Sequence, residues 1–393
     1  MKVLFISGIY NCKIGGLYNS IINRLIRLKS IDSNIELEGC NIVEIDSYAV
    51  RAIKRLTKTD INIKVNSNND KFFKQIVYIR NNMFNLILKG LFPTLYINNI
   101  IQKVEGKLNI KEYDIIHCHW LYPHGFAAYK LALKYDKKLI VTGHGSDVHS
   151  IYRKSSFIRN SIKEELEYAD YITLVSEGLK EKLIDIYNIN SSKILVIGNG
   201  VDINLFKLKT KEENNLKTYK TVGYVGNLNY TKGSDRLPRI FELISKELKS
   251  IRFVIVGDGE LKHDISSNFN NLGLEVDFVG RVAPELVPDY INKMDVMILP
   301  SRNEGFGMVI IEANSCGVPC VAAEVGGIPE VISDKRLLIP VNNNLEERFA
   351  EKVIDVLKSP IKVEELLDNA KRYDWKEIIK KEVQIYKKVS DKR

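Results

Sequence analysis

The chain has 393 residues, of which 45% are hydrophobic and 27% are charged, and its formal net charge is +9 at pH 7. This length favours two domains, each large enough to bury its own core, and the composition is that of an ordinary globular protein. No run of about 18 apolar residues occurs, which excludes a transmembrane helix. The positive charge indicates an anionic partner without choosing among a phosphorylated ligand, a membrane surface and nucleic acid.

The cysteines are few and odd in number, and most of them lie inside apolar runs: Cys12, Cys40, Cys118, Cys316 and Cys320. This usage favours reduced, buried thiols and a cytoplasmic protein. Cys316 and Cys320 are close in sequence, but three residues separate them, and we expect both to be core residues rather than a redox pair.

Short apolar runs alternate with amphipathic segments along the chain, which is typical of βα units and parallel sheets. The predicted strands cover residues 3–7, 35–40, 115–118, 139–142, 171–175, 194–197, 221–225, 252–256, 276–279, 295–299, 319–322 and 337–339. Helical periodicity marks residues 19–29, 235–248 and 345–357. A lysine-rich loop at residues 207–220 separates two doubly wound halves, and we expect a ligand in the cleft between them, because pockets favour domain interfaces.

Residues 51–111 differ from the rest of the first half, because they are strongly basic and rich in aromatic and aliphatic side chains. Their only acidic residues are Asp60, Asp70 and Glu105. Two interpretations stay open. A basic amphipathic helix in this segment lies in a membrane interface, or the aromatic side chains pack on the domain and the lysines are solvated.

The first half also contains a glycine turn and several histidines. Gly15 and Gly16 follow the first predicted strand, in a turn that can face a diphosphate or be purely structural. His117 and His119 end the third predicted strand, and His144 follows the fourth, where a histidine can hydrogen-bond a sugar hydroxyl or stabilise developing charge. His-x-His pairs also bind zinc, but the chain lacks a second ligand pair with zinc spacing, so we expect no metal.

Glycine-rich turns follow strands of the second half at residues 226–233, 257–259, 280–282 and 325–330. Lys232 stands at the head of a predicted helix and suits a phosphate beside free backbone N–H groups, although a surface lysine that caps the helix is the alternative. The turn at Gly257 lacks the third glycine of a dinucleotide fingerprint. Arg281 and Val282 follow a strand near the predicted sheet edge, where a base can sit.

Two carboxylates flank the turn after the buried run that ends at Pro300. Glu304 precedes this turn and Glu312 lies in the predicted helix beyond it, with Gly305 and Gly307 between them. Such a strand-to-helix turn is where an open α/β sheet binds a ligand. The glycines allow close approach to the backbone, and the helix start offers N–H groups to an anion.

Taken together, these motifs resemble the retaining GT-B glycosyltransferases of family 4 along the whole chain. Residues 226–233, 257–259, the Glu304-x7-Glu312 pair and residues 326–330 occur in the family order. Residues 199–202 resemble the entry to the family's second domain, and residues 373–375 resemble the return of the last helix to the first domain. The first half matches through Gly15-Gly16, His119-Trp-x3-His124-Gly125 and His144-Gly-Ser-Asp147.

The resemblance implies an α/β protein of GT-B fold, with two Rossmann-like doubly wound domains that face each other across a cleft. Residues 1–197 would form an acceptor-binding domain, onto which a C-terminal helix at 376–393 packs back. Residues 198–375 would form the nucleotide-sugar-binding domain.

The resemblance also implies roles for residues of the donor site. Glu312 would hold the ribose hydroxyls of the donor. Lys232 would neutralise the diphosphate, helped by backbone N–H groups near Gly16 and at Phe306 and Gly307.

The remaining roles concern the base and the sugar. Arg281 and Val282 would flank the base, Glu304 would lie beside the transferred sugar, and His144 would face the sugar and the attacking hydroxyl. One position departs from the common pattern, because many family members have an arginine where this chain has Asn227. Asparagine cannot supply that charge.

Two explanations follow from this departure. Either Lys232 suffices for the diphosphate, or another cation replaces the missing arginine, and Arg236 and Arg302 are the candidates. The departure affects the details of donor binding rather than the class of reaction.

The implied function is transfer of a sugar from a nucleotide-sugar donor to a hydroxyl of a glycan or lipid-linked acceptor, in cell-surface polysaccharide synthesis. The implied enzyme needs no metal or other cofactor, retains the anomeric configuration by front-face displacement and binds no nucleic acid. It would work in the cytoplasm or at the inner face of the cell membrane. The alternatives are a GT-B epimerase or phosphorylase, and an inactive membrane-associated partner in a glycan assembly complex.

Overall fold

Residues 1–9, 16–50, 73–209, 218–332 and 334–391 are described by a computed structural model. The chain forms two compact units, the first comprising Met1–Ile197 with Ile378–Arg393 and the second comprising Gly198–Glu377. The end of the chain therefore belongs to the same unit as its beginning.

The first unit is built on a parallel sheet. Its strands are β1 (Lys2–Ser7), β2 (Glu36–Asp46), β3 (Gln75–Asn81), β4 (Ile115–His119), β5 (Lys138–Gly143), β6 (Tyr171–Leu174) and β7 (Ile194–Val196). Their order is β3-β2-β1-β4-β5-β6-β7, and every pairing is parallel. The order changes direction between β1 and β4, so a ligand crevice is expected beyond the carboxyl ends of these two strands.

Helices connect the strands of the first unit. They are α1 (Gly16–Ile31), α2 (Met83–Leu91), α3 (Pro93–Glu105), α4 (Phe126–Tyr135), α5 (Ser146–His149), α6 (Ser156–Tyr168) and α7 (Glu177–Tyr187). Side-chain oxygens begin several of them, as at Ser155, which accepts from the Ile158 N–H at 3.2 Å. Pro93 lies at the first position of α3, where its missing N–H leaves no helical bond unmade.

The second unit repeats this plan. Its strands are β8 (Lys220–Val225), β9 (Ile251–Val256), β10 (Val276–Gly280), β11 (Val296–Leu299), β12 (Cys320–Ala323) and β13 (Leu338–Ile339). Their order is β10-β9-β8-β11-β12-β13, so the direction changes between β8 and β11. The helices are α8 (Leu237–Glu247), α9 (Lys262–Asn271), α10 (Val287–Ile291), α11 (Met308–Ser315), α12 (Ile328–Val331), α13 (Leu345–Lys358) and α14 (Val363–Lys371). The last helix, α15 (Trp375–Asp391), leads back into the first unit.

The predicted α/β fold with two doubly wound sheets is confirmed, and each predicted strand overlaps a strand of the structure. The cysteine prediction is confirmed for Cys40, Cys118, Cys316 and Cys320, which are free and buried, while Cys12 lies outside the described residues. Within the part of the chain that the structure describes, no helix has both the length and the apolar character needed to cross a bilayer.

The segment 51–111, for which an amphipathic helix was one of the two open interpretations, contains a strand as well as helices. Residues 75–81 form β3, which pairs with β2 at the edge of the sheet. Val77 and Ile79 are buried, whereas Tyr78 and Arg80 are exposed, so this strand has the period of two that a helix lacks. Residues 51–72 of the segment lie outside the described residues.

Candidate active site

Two loops of the second unit lie where its strand order changes direction. Residues 226–233 follow β8 and residues 300–307 follow β11, and these two strands are neighbours. The loops contact each other, because the N–H groups of Arg302 and Asn303 donate to the Thr231 carbonyl at 2.9 and 3.3 Å. In an open parallel sheet this is the expected position of a ligand.

The structure brings Lys232 and Glu304 together at this point. The Lys232 ammonium donates to the Glu304 carboxylate, and both side chains are mostly buried. The Lys232 N–H donates to the Asn229 side chain at 2.9 Å, which fixes the loop. An ammonium group has three N–H donors, so Lys232 can bind Glu304 and a phosphate oxygen at once.

The backbone after Glu304 presents N–H groups ahead of α11. Those of Gly305, Phe306 and Gly307 have no partner in the described part of the chain. Gly307 has a φ of +94°, directly before the helix, and the buried Phe306 ring contacts the Tyr373 ring at a centroid distance of 5.6 Å. Free N–H groups before a helix are suited to bind an anion.

Glu312 lies in α11, and its side chain is partly exposed. Among the described residues no hydrogen bond or ion pair engages its carboxylate. Partial burial removes water from the carboxyl group and raises the pKa of Glu312 to about 7. A carboxylate held in this way, without a protein partner, is available to accept hydrogen bonds from two hydroxyl groups of a ligand.

The two arginines considered as replacements for a cation at Asn227 are engaged elsewhere. Arg302 forms a bidentate pair with Asp235 at 2.6 and 2.8 Å and stacks on Tyr230. Arg236 donates to the Pro300 carbonyl at 2.9 Å and lies 3.5 Å from Glu346. Because both arginines are engaged in these contacts, neither is a good replacement for the missing cation. Lys232 is therefore the favoured cation for a phosphate at this loop.

Asn227, Gly257 and Arg281 follow three neighbouring strands, β8, β9 and β10. The side chains of Asn227 and Arg281 are exposed, and Val282 is partly exposed. Gly257 has a φ of +140°, and a Cβ there would overlap the Gly226 carbonyl oxygen. The Gly257 position therefore requires glycine, whereas the two exposed side chains are able to contact a ligand.

In the first unit, His119 and His144 form a hydrogen-bonded pair. His119 ends β4 and His144 follows β5, and their Nδ1 and Nε2 atoms lie 2.9 Å apart. Burial lowers the pKa of His144 to about 3 and that of His119 well below its ordinary value. Both rings are therefore neutral, and one ring N–H donates to the bare nitrogen of the other. His144 Nδ1 has no partner among the described residues.

The loop that carries His144 is held by the buried carboxylate of Asp147. One oxygen accepts from the Gly145, His144 and Val148 N–H groups at 2.8, 3.0 and 3.2 Å. The other accepts from the Leu121 N–H at 3.4 Å. This set of bonds fixes the backbone at His144 relative to the end of β4.

A buried polar network lies beside the histidine pair, and the sequence did not predict it. The His117 ring bonds to the Tyr386 hydroxyl at 2.6 Å and to the Thr142 hydroxyl at 2.7 Å. Glu382, on the same helix as Tyr386, forms a fully buried ion pair with Arg24 of α1. No local signal reveals these partners, because 269 residues separate His117 from Tyr386 and 358 separate Arg24 from Glu382.

One group of possible metal ligands exists among the described residues, namely His117, His119 and Glu382, whose ligand atoms lie within 4.8 Å of one another. Both ring nitrogens of His117 already have hydrogen-bond partners, and Arg24 compensates the charge of Glu382. These contacts favour a hydrogen-bond network over a metal centre, because a metal would displace them.

The predicted diphosphate turn of the first unit is only partly described. Gly16 is the exposed first residue of α1, and a Cβ there would meet nothing within 4 Å. Packing therefore does not require glycine at this position. Gly15 lies outside the described residues.

Comparison with known proteins identifies the family. Residues 206–373 match the profile of "Glycosyl transferases group 1", and residues 48–205 match that of "Glycosyltransferase Family 4". The chain belongs to the GT-B glycosyltransferases of family 4. It is therefore a glycosyltransferase (EC 2.4).

Individual relatives extend over different shares of the chain. An uncharacterised glycosyltransferase of Methanocaldococcus jannaschii is 29% identical and covers 100% of this chain and 99% of its own. The N-acetyl-alpha-D-glucosaminyl L-malate synthase of Bacillus anthracis is 31% identical over 56% of this chain and 58% of its own. A subunit of the phosphatidylinositol N-acetylglucosaminyltransferase of Saccharomyces cerevisiae is 27% identical over 62% of this chain and 57% of its own.

A solved structure matches the whole chain. Anabaena HepE, crystallised in complex with UDP, superposes with a TM-score of 0.73 at 20% identity, over 99% of this chain and 100% of its own. This similarity confirms the GT-B fold of the family 4 glycosyltransferase.

Proposed function

We propose that this glycosyltransferase takes its sugar from a nucleoside-diphosphate sugar bound by the second unit. The observation behind this proposal is that three features lie on the segments that follow β8 and β11, where the strand order changes direction: Lys232, the N–H groups before α11, and Glu312, whose carboxylate has no partner among the described residues. These groups match the diphosphate and the ribose diol of such a donor in charge and in hydrogen-bonding capacity. The solved relative that binds UDP supports this donor class.

Each donor residue has a defined task in this proposal. The Lys232 ammonium and the N–H groups of Phe306 and Gly307 bind the diphosphate, and no metal is needed because these groups carry the compensating positive charge. Glu312 accepts hydrogen bonds from both ribose hydroxyls.

The base is placed by other residues of the second unit. Arg281 and Val282 lie against the base, and the Gly257 turn lets the donor approach the backbone. The exposed Asn227 amide hydrogen-bonds the donor without adding charge. Lys232 is then the side-chain cation on the diphosphate, in keeping with the engagement of Arg236 and Arg302 elsewhere.

The proposed chemistry retains the anomeric configuration. The bond between the anomeric carbon and the phosphate oxygen breaks, the acceptor oxygen forms its bond on the same face, and the departing phosphate oxygen takes the acceptor proton. The His144 ring is neutral at physiological pH because burial lowers its pKa to about 3, so it acts as a hydrogen-bonding group rather than a cation. Glu304 lies beside the transferred sugar and stabilises its developing positive charge.

For the acceptor we propose a hydroxyl of a glycan or a lipid-linked glycan, in cell-surface polysaccharide synthesis at the inner face of the cell membrane. The first unit would bind this acceptor and present it to His144. The relative whose name includes phosphatidylinositol supports a lipid-linked acceptor, whereas the name of the Bacillus anthracis relative, N-acetyl-alpha-D-glucosaminyl L-malate synthase, includes a small molecule.

Substitution of the two glutamates tests the proposal. Glu312→Ala should weaken UDP binding by about tenfold or more, because a charge-assisted contact to the ribose is lost. Glu304→Ala should not weaken UDP binding, because it leaves the Lys232 ammonium free for the diphosphate, and it should lower turnover by about a hundredfold, because the proposed contact of Glu304 is made to the sugar in the transition state. Calorimetry with UDP and turnover with radiolabelled sugar nucleotides separate the two effects.

Glu285→Ala is the matched control, since this glutamate is exposed on the same unit. Equal losses of UDP affinity in the Glu304 and Glu312 variants would contradict the assigned roles. Release of a new sugar without acceptor would indicate an epimerase, a dependence on inorganic phosphate would indicate a phosphorylase, and a chain that binds no nucleotide would be an inactive partner.

A further inference from the structure

The first unit carries a concentrated group of exposed apolar side chains. Of the 17 large apolar side chains that are exposed in the described part of the chain, six lie within residues 83–95. They are Met83, Phe84, Ile87, Leu91, Phe92 and Leu95, and they are between 47% and 73% exposed. We call this surface the apolar elbow, because α2 ends and α3 begins within it.

The positions of these side chains follow the geometry of the two helices. Residues 83, 84, 87 and 91 recur on one face of α2, whereas Leu88 of the same helix is buried. On α3, Tyr96 and Ile97 are buried, while Leu95 and the preceding Phe92 point to solvent. Both helices therefore have buried residues that anchor them and an outer apolar face that is exposed in the described part of the chain.

The charge around the elbow selects the kind of partner. Residues 73–104 contain four cations, namely Lys74, Arg80, Lys89 and Lys103, and no acidic residue. Lys74 pairs with Glu38 and Lys89 with Glu44. Arg80 is exposed, with no acidic partner among the described residues, and Lys103 donates to the Tyr78 carbonyl rather than to an acid. Two cations, one shortly before α2 in the sequence and one within α3, thus have no acidic partner among the described residues.

We propose that the apolar elbow docks on an anionic lipid bilayer and inserts Phe84, Leu91 and Leu95 into its interfacial region. An apolar helix face combined with basic side chains is the combination that binds such an interface, because burial of the face and attraction to anionic headgroups act together. Membrane docking would bring the enzyme to a lipid-linked acceptor, and only this purpose rests on the proposed function.

The first test replaces the inserting residues in the full chain. Phe84→Ser, Leu91→Ser and Leu95→Ser, combined in one variant, should reduce binding to vesicles of phosphatidylglycerol and phosphatidylcholine in equal parts by about tenfold or more. The matched control combines Leu133→Ser, Leu272→Ser and Leu286→Ser, which remove exposed leucines elsewhere, and it should bind like the original chain. Binding is measured by vesicle flotation without donor or acceptor.

The second test concerns charge. Arg80→Gln with Lys103→Gln should weaken vesicle binding, as should high salt or vesicles of phosphatidylcholine alone, whereas Lys154→Gln with Lys249→Gln should have little effect. Circular dichroism of every variant excludes unfolding as the cause of a loss.

Two outcomes would overturn the proposal: equal flotation of the elbow and control variants, or no flotation of the original chain at low salt. If the original chain instead self-associates in sedimentation and only the elbow variant becomes monomeric, the elbow is a contact between copies and the membrane proposal is wrong. UDP binding is measured by calorimetry, independently of vesicle binding. A wrong membrane proposal and a wrong donor-site proposal therefore give different results.

Discussion

Glu312 differs from the other carboxylates of the proposed donor site because its side chain has no partner among the described residues. Glu304 is paired with Lys232, and Asp235 is paired with Arg302. Partial burial without a compensating cation raises the pKa of Glu312 to about 7. In the proposed donor site, ionisation of Glu312 near pH 7 would make donor binding depend on pH.

We expect UDP affinity to rise as the pH increases through about 7, the pKa of Glu312, because only the ionised carboxylate accepts from both ribose hydroxyls. The pKa of Glu312 is higher in the folded protein than in the unfolded chain, so the folded state loses stability as the pH rises and this carboxyl group ionises. Hydrogen bonds from the ribose hydroxyls to the ionised carboxylate would offset this loss. Calorimetric titration with UDP at about one pH unit below and above the pKa of Glu312 measures the slope of UDP affinity against pH.

Glu312→Gln is the control for this pH effect, since it removes the titration and leaves only the contribution of the terminal phosphate of UDP. A slope that is the same in both proteins would show that Glu312 does not contact the ribose.

His144 lies in the loop between β5 and α5, and this loop determines the position of its ring. The sequence identified His144 as a candidate, but its hydrogen-bond partner His119 and the role of Asp147 emerge only from the fold, since parallel pairing places the ends of β4 and β5 side by side. Asp147 is isolated from water, which raises its pKa, while the backbone N–H donors oppose that rise.

Asp147→Asn should lower turnover by about tenfold to a hundredfold and leave UDP affinity nearly unchanged. The amide retains one acceptor oxygen but places an NH2 group where the second oxygen accepts, so the loop shifts and costs about 1–3 kcal/mol of stability. Turnover, UDP calorimetry and thermal unfolding separate these effects. Asp136→Asn, at an exposed helix end, is the control, and unchanged turnover of Asp147→Asn would exclude a positioning role.

The elements around residues 73–105 show where sequence patterns fail. The helices and strands that alternate in simple βα order are predictable, because burial on a parallel sheet gives continuous apolar runs. β3 lies at the sheet edge, so its exposed Tyr78 and Arg80 interrupt that run. The apolar face of α2 is equally ambiguous in sequence, since a pattern does not tell whether a face is covered by the domain or left exposed.

At the scale of the whole molecule, the chain ends in the unit in which it begins. α15 contributes Glu382 and Tyr386 to the core of the first unit, where they meet Arg24 and His117. The return of the last helix is predictable from the family pattern near residues 373–375, but the buried pair is not, because charged residues usually indicate a solvated face.

Glu382→Gln should destabilise the protein by about 3–5 kcal/mol, because it breaks the buried ion pair with Arg24 by removing the charge of one partner. UDP affinity should change little, since the main donor contacts belong to the second unit. Urea-induced unfolding measures the loss, with the exposed Gln384→Ala on the same helix as the control. Equal midpoints for the two variants would show that the pair does not stabilise the fold.

The glycines around the donor loops determine how this enzyme can be re-engineered. Any side chain at Gly233, Gly257 or Gly326 would overlap the carbonyl oxygen of Pro300, Gly226 or Glu304, and each of these glycines also has a positive φ. A saturation library across the donor loops would therefore lose almost every substitution at these three codons. Selection for a new sugar nucleotide should instead accumulate changes at Asn227 and Arg281, whose side chains reach solvent.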